Sequence, residues 1–454
     1  MAITIHQEPT TPNMANNDLL FVVTSNTSSA AQFQYVCDIR NTSDYSLLQR
    51  IKQQPNPDAY GVFNVGQIVT QYLGSDNAWK AAPIITGSTS IGEFSVLFGE
   101  QYGVSPSSSI TTYNGINTTP SQDPAKSGSA YYHINNGLVD PYNAVNWNFA
   151  SASFYTAVSA SEYITYSLQH ILSNAPLSQS IQDGEYATVS IYNGNFMDPI
   201  SDVFAQDINW IQVRFYNSSG TNIQSNDYYN IVSNGGGPRT ASNDLWSTVA
   251  ANQTTGTRLL HFGVGPQNIE DSGISIPSTW AYYTVGFYGQ GDDGLENNTG
   301  QIALIRFDKS TGACSYNGVR FAWKNEYGVW DYYTFTLQSD TASTIDRESY
   351  EQTFVNYSTD SNTIPYDKSR RGTSQFYNGL TKRQTANSDW LVQEEADWLR
   401  ELFYSTNVYI QVGSDFEPVV VTTVDLVEKT NPRTQKNFQY TLEFEPANQP
   451  RPRL

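Results

Sequence analysis

The chain has 454 residues, with 43 acids against 24 bases and a formal net charge of −19. Its length exceeds one ordinary core and implies about two to four domains. So acidic a surface repels phosphate backbones, which argues against nucleic acid as the main partner except through a local patch. Aromatics make up 13% and charged residues only 15%. That mix suits short strands and polar turns, not long helices rich in Ala, Leu, Glu and Lys. A mainly β fold is predicted: two antiparallel β-sandwich-like domains and a small C-terminal α+β unit with one amphipathic helix.

Residues 1–108 read as the first sandwich. "DLLFVVTS" and "QFQYVCDIR" are strands, and in the second Phe33, Tyr35, Cys37 and Ile39 alternate with polar residues as in a half-buried strand. "LLQRIK" fits helix or strand and ends before Pro55 and Pro57. "NVGQIVTQYLG" reads as a short helix between an Asn64 cap and Gly74, and "GEFSVLFGEQYGV" returns to strand. Residues 109–185 are polar, with Pro and Gly, and read as a loop-rich connection with a helical turn in "EYITYSLQHILSN".

Strand patterns resume from 186 to about 340, giving a central antiparallel domain that closes on the hairpin "FAWKNEYGVWDYYTFTLQ". Residues 341–387 read as a polar linker or arm. The unit 388–454 opens with "SDWLVQEEADWLRELFYS", a helix capped by Ser388 with Asp389 at its positive end. Leu391, Val392, Trp398, Leu399, Leu402 and Phe403 mark its apolar face, with Glu395 as the polar exception. "NVYIQVG", "PVVVTTVDLV" and "FQYTLEFEP" are three strands able to pack on it.

Chemistry-bearing patterns are sparse. His6, His133, His170 and His261 show no metal-ligand spacing, and Cys37 and Cys314 read as free buried thiols. "NGGGPR" lacks the Lys-Ser/Thr of a phosphate loop, and "GQGDDGLENNTG" lacks the spacing of a calcium loop and reads as a hairpin tip. No catalytic, cofactor-binding or metal-binding residue is assigned, and no cofactor is expected. No apolar run reaches the roughly 18 residues of a membrane-spanning helix. The N-terminal stretch has neither the basic start nor the apolar core of a signal peptide.

The hairpin carries three readings: architecture, a glycan platform, or part of an active site around Asp331. Alternation places Asp331 with Val329, Tyr333 and Phe335, away from Trp330 and Tyr332, which favours architecture. Trp323, Gly328, Trp330, Tyr333 and Phe335 are its frame, Gly328 supplying the turn, with Lys324 and Glu326 at the wet edge. Lys368, Arg370, Arg371, Lys382 and Arg383 cluster against the acidic background and are candidates for a subunit contact.

Several phrases in order, "QQPNPDAYGVFN", "FSVLFGEQYG", "HFGVGPQNI", "CSYNGVRFAWKNEYGVWDYYTF" and "ANSDWLVQEEADWLRELFYSTNVYI", resemble virion structural proteins of tailed phages of Bacteroidota and marine bacteria, crAss-like relatives included. The resemblance implies a tail, neck or baseplate component, made in host cytoplasm and located in the virion. Its partners would be other virion proteins and copies of itself, without membrane insertion. A receptor-binding or fibre protein recognising host surface glycans is the alternative, and a tail-associated glycan depolymerase a further one.

Overall fold

In a computed structural model, the residues described are 3–9, 13–42, 46–87, 89–103, 112–114, 131–135, 137, 171–192, 208–229, 259–289, 300–310, 318–351, 372–425 and 439–449. The fold is mainly β, with antiparallel sheets in sandwich-like layers and a small C-terminal helix. The chain divides into two compact units: residues 1–310 with 324–331, and residues 311–323 with 332–454.

The first unit opens with β1 (Ile3–Gln7), β2 (Asn13–Met14), β3 (Leu20–Ser25), β4 (Gln34–Asn41), β5 (Leu47–Gln53) and β6 (Tyr60–Asn64). One helical turn, α1 (Gly66–Val69), runs into a 3-10 turn over Thr70–Tyr72. Asn64 stands just before the helix, where its side-chain oxygen accepts the Gly66 N–H at 3.1 Å. There follow β7 (Ile84–Thr86), β8 (Ile91–Gln101), β9 (Thr112–Asn114) and β10 (Tyr131–Asn135). Next come β11 (Ser178–Ile181), β12 (Thr188–Tyr192), β13 (Ile208–Tyr216) and β14 (Asn222–Tyr229). The unit's last elements are β15 (Leu259–Gly263), α2 (Pro266–Asp271), β16 (Tyr282–Gly289) and β17 (Gly300–Lys309).

Two sandwiches result. The first sets β1-β3-β6 against β2-β10-β8-β4-β5, with β9 also on β8. Phe21 and Phe63 from one sheet meet Phe98 from the other at ring distances of 5.4 and 5.7 Å. Each buried ring of this kind contributes about 1.5–3 kcal/mol. The second sets β11-β17-β16-β13-β14 against β12-β15-β7, and Phe262 meets Phe287 at 5.6 Å. Among the described residues two strand pairs are parallel, β2 with β10 and β11 with β17.

The division expected from sequence differs from this one. β7, from the supposed first domain, pairs with β15 in the second sandwich. The supposed connection 109–185 supplies β9 and β10 to the first sandwich and β11 to the second. Strand β4 is buried on both faces, not half-buried: Val36 and Asp38, which alternate with Tyr35, Cys37 and Ile39, are fully inaccessible too. A bare carboxylate there would be costly. Arg50 grips Asp38 with two bonds, at 2.6 and 2.7 Å, and Arg40 adds a third at 3.2 Å.

Among its described residues, the second unit is one seven-stranded sheet and a helix. Its elements are β18 (Val319–Lys324), β19 (Trp330–Phe335), β20 (Asp340–Glu351), β21 (Thr373–Asn387), α3 (Gln393–Tyr404), β22 (Val408–Val412), β23 (Asp415–Val421) and β24 (Thr441–Pro446). The strand order is β19-β18-β22-β23-β24-β21-β20. So the hairpin strands belong to the C-terminal sheet and not to the central sandwich. The supposed polar linker 341–387 contributes the two strands β20 and β21. Its polar sequence hid them, because a strand with two wet faces has no apolar alternation.

Candidate assembly surface

The hairpin rings are mostly core. Trp323, Phe321 and Phe335 are fully buried and Trp330 is 3% exposed. Tyr333 packs edge-on to Phe335 at 5.2 Å and to Trp398 of α3 at 6.1 Å, while Tyr332 lies near Phe416 at 6.4 Å. Adjacent rings therefore take opposite faces, as the alternation requires. Gly328 has φ +80°, where a β-carbon is penalised, and the Asn325 side chain accepts the N–H groups of Tyr327 and Val329. Lys324 is half-buried, and burial pulls its ammonium down to about 8.

Leu391, just before α3, and Trp398, Leu399 and Leu402 on it are buried, and Phe403 meets Tyr440 at 5.5 Å. Val392 is the exception at 54% exposed. Ser388 does not cap this helix; its hydroxyl accepts the Tyr440 N–H at 2.9 Å, fastening the entry to β24. Glu395 takes the capping role, its carboxylate accepting the Val392 N–H at 3.0 Å, which accounts for an acid on an apolar face. In "PVVV", Val419 faces inward and Val420 is 54% exposed on the opposite side of the sheet.

The candidate basic contact separates. Lys368, Arg370 and Arg371 lie outside the described residues. Lys382 and Arg383 are neighbours on β21 and so project to opposite faces. Arg383 is already matched within the unit by Glu445 at 3.2 Å, and the Gln449 side chain bonds the Lys382 backbone on both sides. Cys37 is a free, buried thiol, whereas Cys314 and His170 lie outside the described residues.

What the sequence did not reveal is the ribbon those two basic residues stand on. β20 and β21 pair from Asp340↔Thr385 to Glu351↔Thr373, whereas β24 pairs with β21 only over Gln384–Asn387. Most of the ribbon is thus two strands wide. All residues of β20 are exposed. It still carries Ile345 at 52% and Tyr350 at 47%, with Phe376 of β21 at 48% and 6.1 Å from Tyr350. β20 ends the sheet, so its outer edge has no strand partner among the described residues. A two-stranded ribbon is marginal in water, and an open edge is a template for pairing.

A second constellation, buried in the first unit, has residue types associated with hydrolysis: Ser190, His261 and Asp76. Ser190 Oγ is 2.8 Å from His261 Nδ1, and Asp76 Oδ2 is 3.7 Å from His261 Nε2. Ser190 is 3% exposed and His261 1%, so no substrate carbonyl reaches the hydroxyl in this conformation. Asp76 is a structural anchor. Its Oδ1 accepts from the Thr89 N–H and hydroxyl at 2.9 and 2.8 Å, and its Oδ2 accepts from the Ser90 N–H at 3.1 Å and from the Ser90 hydroxyl. Burial raises its carboxyl, but the nearby His261 ring and the hydrogen bonds from Ser90 and Thr89 outweigh that and hold it well below the ordinary range. Its carbonyl also accepts the Trp330 indole N–H at 2.6 Å. With positions 76, 190 and 261 so far apart, no sequence signal could have united them.

No known protein family and no curated protein sequence matches this chain. Among the described residues there is no group of metal-ligating side chains, and no helix is long and apolar enough to cross a membrane.

Proposed function

We propose that this chain is a non-enzymatic structural protein of a tailed-phage virion, in a tail, neck or baseplate substructure, and that it joins its neighbours through the β20–β21 arm. The observation that carries this reading is the arm itself: a long ribbon, exposed along the whole of β20, bearing Ile345, Tyr350 and Phe376 in water. Such a ribbon gains most of its order from a surface laid against it. The resembling phrases supply the virion setting, and the acidic charge keeps subunits apart until specific contacts form.

The arm has a clean test. Removing residues 388–454 would take β22, β23 and β24 out of the sheet and unfold the unit. Replacing residues 343–382 by a short Gly-Ser turn leaves the Arg383–Glu445 pair and the β21–β24 ladder in place. The shortened chain folds and fails to join particles; incorporation at the parent level refutes the arm's role.

The glycan reading rests on one feature of the five-stranded sheet. Tyr216 and Tyr282 stack at 4.7 Å, and the Arg306 guanidinium lies 3.9 Å over Tyr282 beside Asp308. Rings with flanking polar groups suit sugars. Here, however, Tyr282 is covered on both faces by its neighbours. Saturable binding of host polysaccharide, lost in Tyr216→Ala, would favour this reading over the first.

A further inference from the structure

We infer that the arm pairs with the arm of a second copy, β20 against β20, in one register centred on Ile345. The inference rests on the assembly role of the arm and names its partner. β20 suits such pairing. It is regular, because the ladder's irregularity between Glu348 and Ser349 places the extra residue, Phe376, on β21. Its free edge is uninterrupted from Asp340 to Glu351, without proline.

Charge selects the register. A two-fold axis normal to the sheet makes the edges antiparallel and keeps each side chain on its own face. A residue then opposes itself or one an even number of positions away. Like charges directly opposite destabilise a sheet. Centring on Asp346 sets Asp346 against itself, and centring on Glu348 does the same with Glu348. Centring on Arg347 opposes Arg347 to itself and Asp346 to Glu348. Centring on Thr344 brings Asp340 against Glu348, and centring on Ser343 brings Asp340 against Asp346. Registers centred nearer either end pair only a short stretch.

The Ile345 register is free of these clashes. Ile345 faces Ile345 of the second copy, Thr344 faces Asp346, Ser343 faces Arg347 and Ala342 faces Glu348. The exposed isoleucine gains an apolar partner at the axis, and each charge meets a small or hydroxyl-bearing residue. The charged edge that blocks promiscuous pairing thus permits one long self-pairing. The contact is small and isologous, suited to copies also held by other neighbours.

Single cysteines in the full chain test the register. Under mild oxidation Ile345→Cys places two thiols across the axis, within reach of a disulfide. Thr341→Cys and Arg347→Cys face other residues, and the parent chain reports any background from Cys37 and Cys314. The expected result is intermolecular disulfide at Ile345→Cys at least about tenfold faster than at either control. In sedimentation velocity, Ile345→Lys lowers self-association while Ile345→Val retains it. Equal crosslinking at all three positions, faster crosslinking at Arg347→Cys, or a parent chain monomeric at every concentration overturns the inference. The last result leaves the arm's role in particles to the shortened-arm experiment, so the two failures are distinguishable.

Discussion

Asp76→Asn isolates how a buried carboxylate organises the first unit. Each carboxylate oxygen serves one backbone N–H and one hydroxyl: Thr89 on Oδ1, Ser90 on Oδ2. An amide keeps one oxygen and turns an NH2 toward the other pair, so in either orientation a backbone N–H faces a donor. The side chain is 9% exposed, so water cannot readily make good the loss. The expected cost is about 2–4 kcal/mol, from one unsatisfied backbone donor and the lost charge-assisted bonds. The carboxyl titrates well below its ordinary value in the folded state, so in acid the unfolded chain binds the proton first. This contribution is complete above the unfolded pKa of about 4 and is lost as pH falls through the folded one. Guanidinium unfolding followed by tryptophan fluorescence, at pH 7 and at stepwise lower pH, measures both effects. Amide exchange at Thr89 and Ser90 provides a local readout if unfolding has more than one step. A loss under about 0.5 kcal/mol, with an acid limb as steep as the parent's, would refute the anchoring role.

Two further outcomes concern the hairpin. Trp323→Ala removes a fully buried ring that lies 5.2 Å from Trp398 and should cost about 3–5 kcal/mol, whereas Trp323→Phe should cost far less, because the indole N–H has no acceptor among the described residues; equal losses in chemical unfolding would contradict this. Lys324→Met should stabilise the fold at pH 7 by about 1–2 kcal/mol, after discounting for partial exposure. Its folded pKa of about 8 lies below the unfolded value, so the parent gains stability as pH rises from there toward about 10. The advantage of Lys324→Met should fade over that window, and a benefit constant from pH 7 to 10.5 would show that charge burial is not its cause.

Local chemistry determined much of this protein. Low charge, abundant aromatics and period-two runs made it a β protein, because a strand needs only alternate residues to match its pleat. The Gly328 turn and the α3 face were legible for the same reason, since turn conformation and helical spacing are written within a few residues. The tertiary structure decided what depends on distant pairing. β7 joins β15 although many strands separate them in sequence, and Asp38 is buried because β5 carries Arg50 to it. Asp76 meets His261 only because the fold closes that distance. Ser388 was a sound cap by type, yet Tyr440 claimed its hydroxyl and left Glu395 to close the helix. The arm shows the same limit from the other side. β20 has no apolar face to advertise it, so only its ladder to β21 makes it a strand, and its charges become informative about pairing only once that ladder leaves the other edge open.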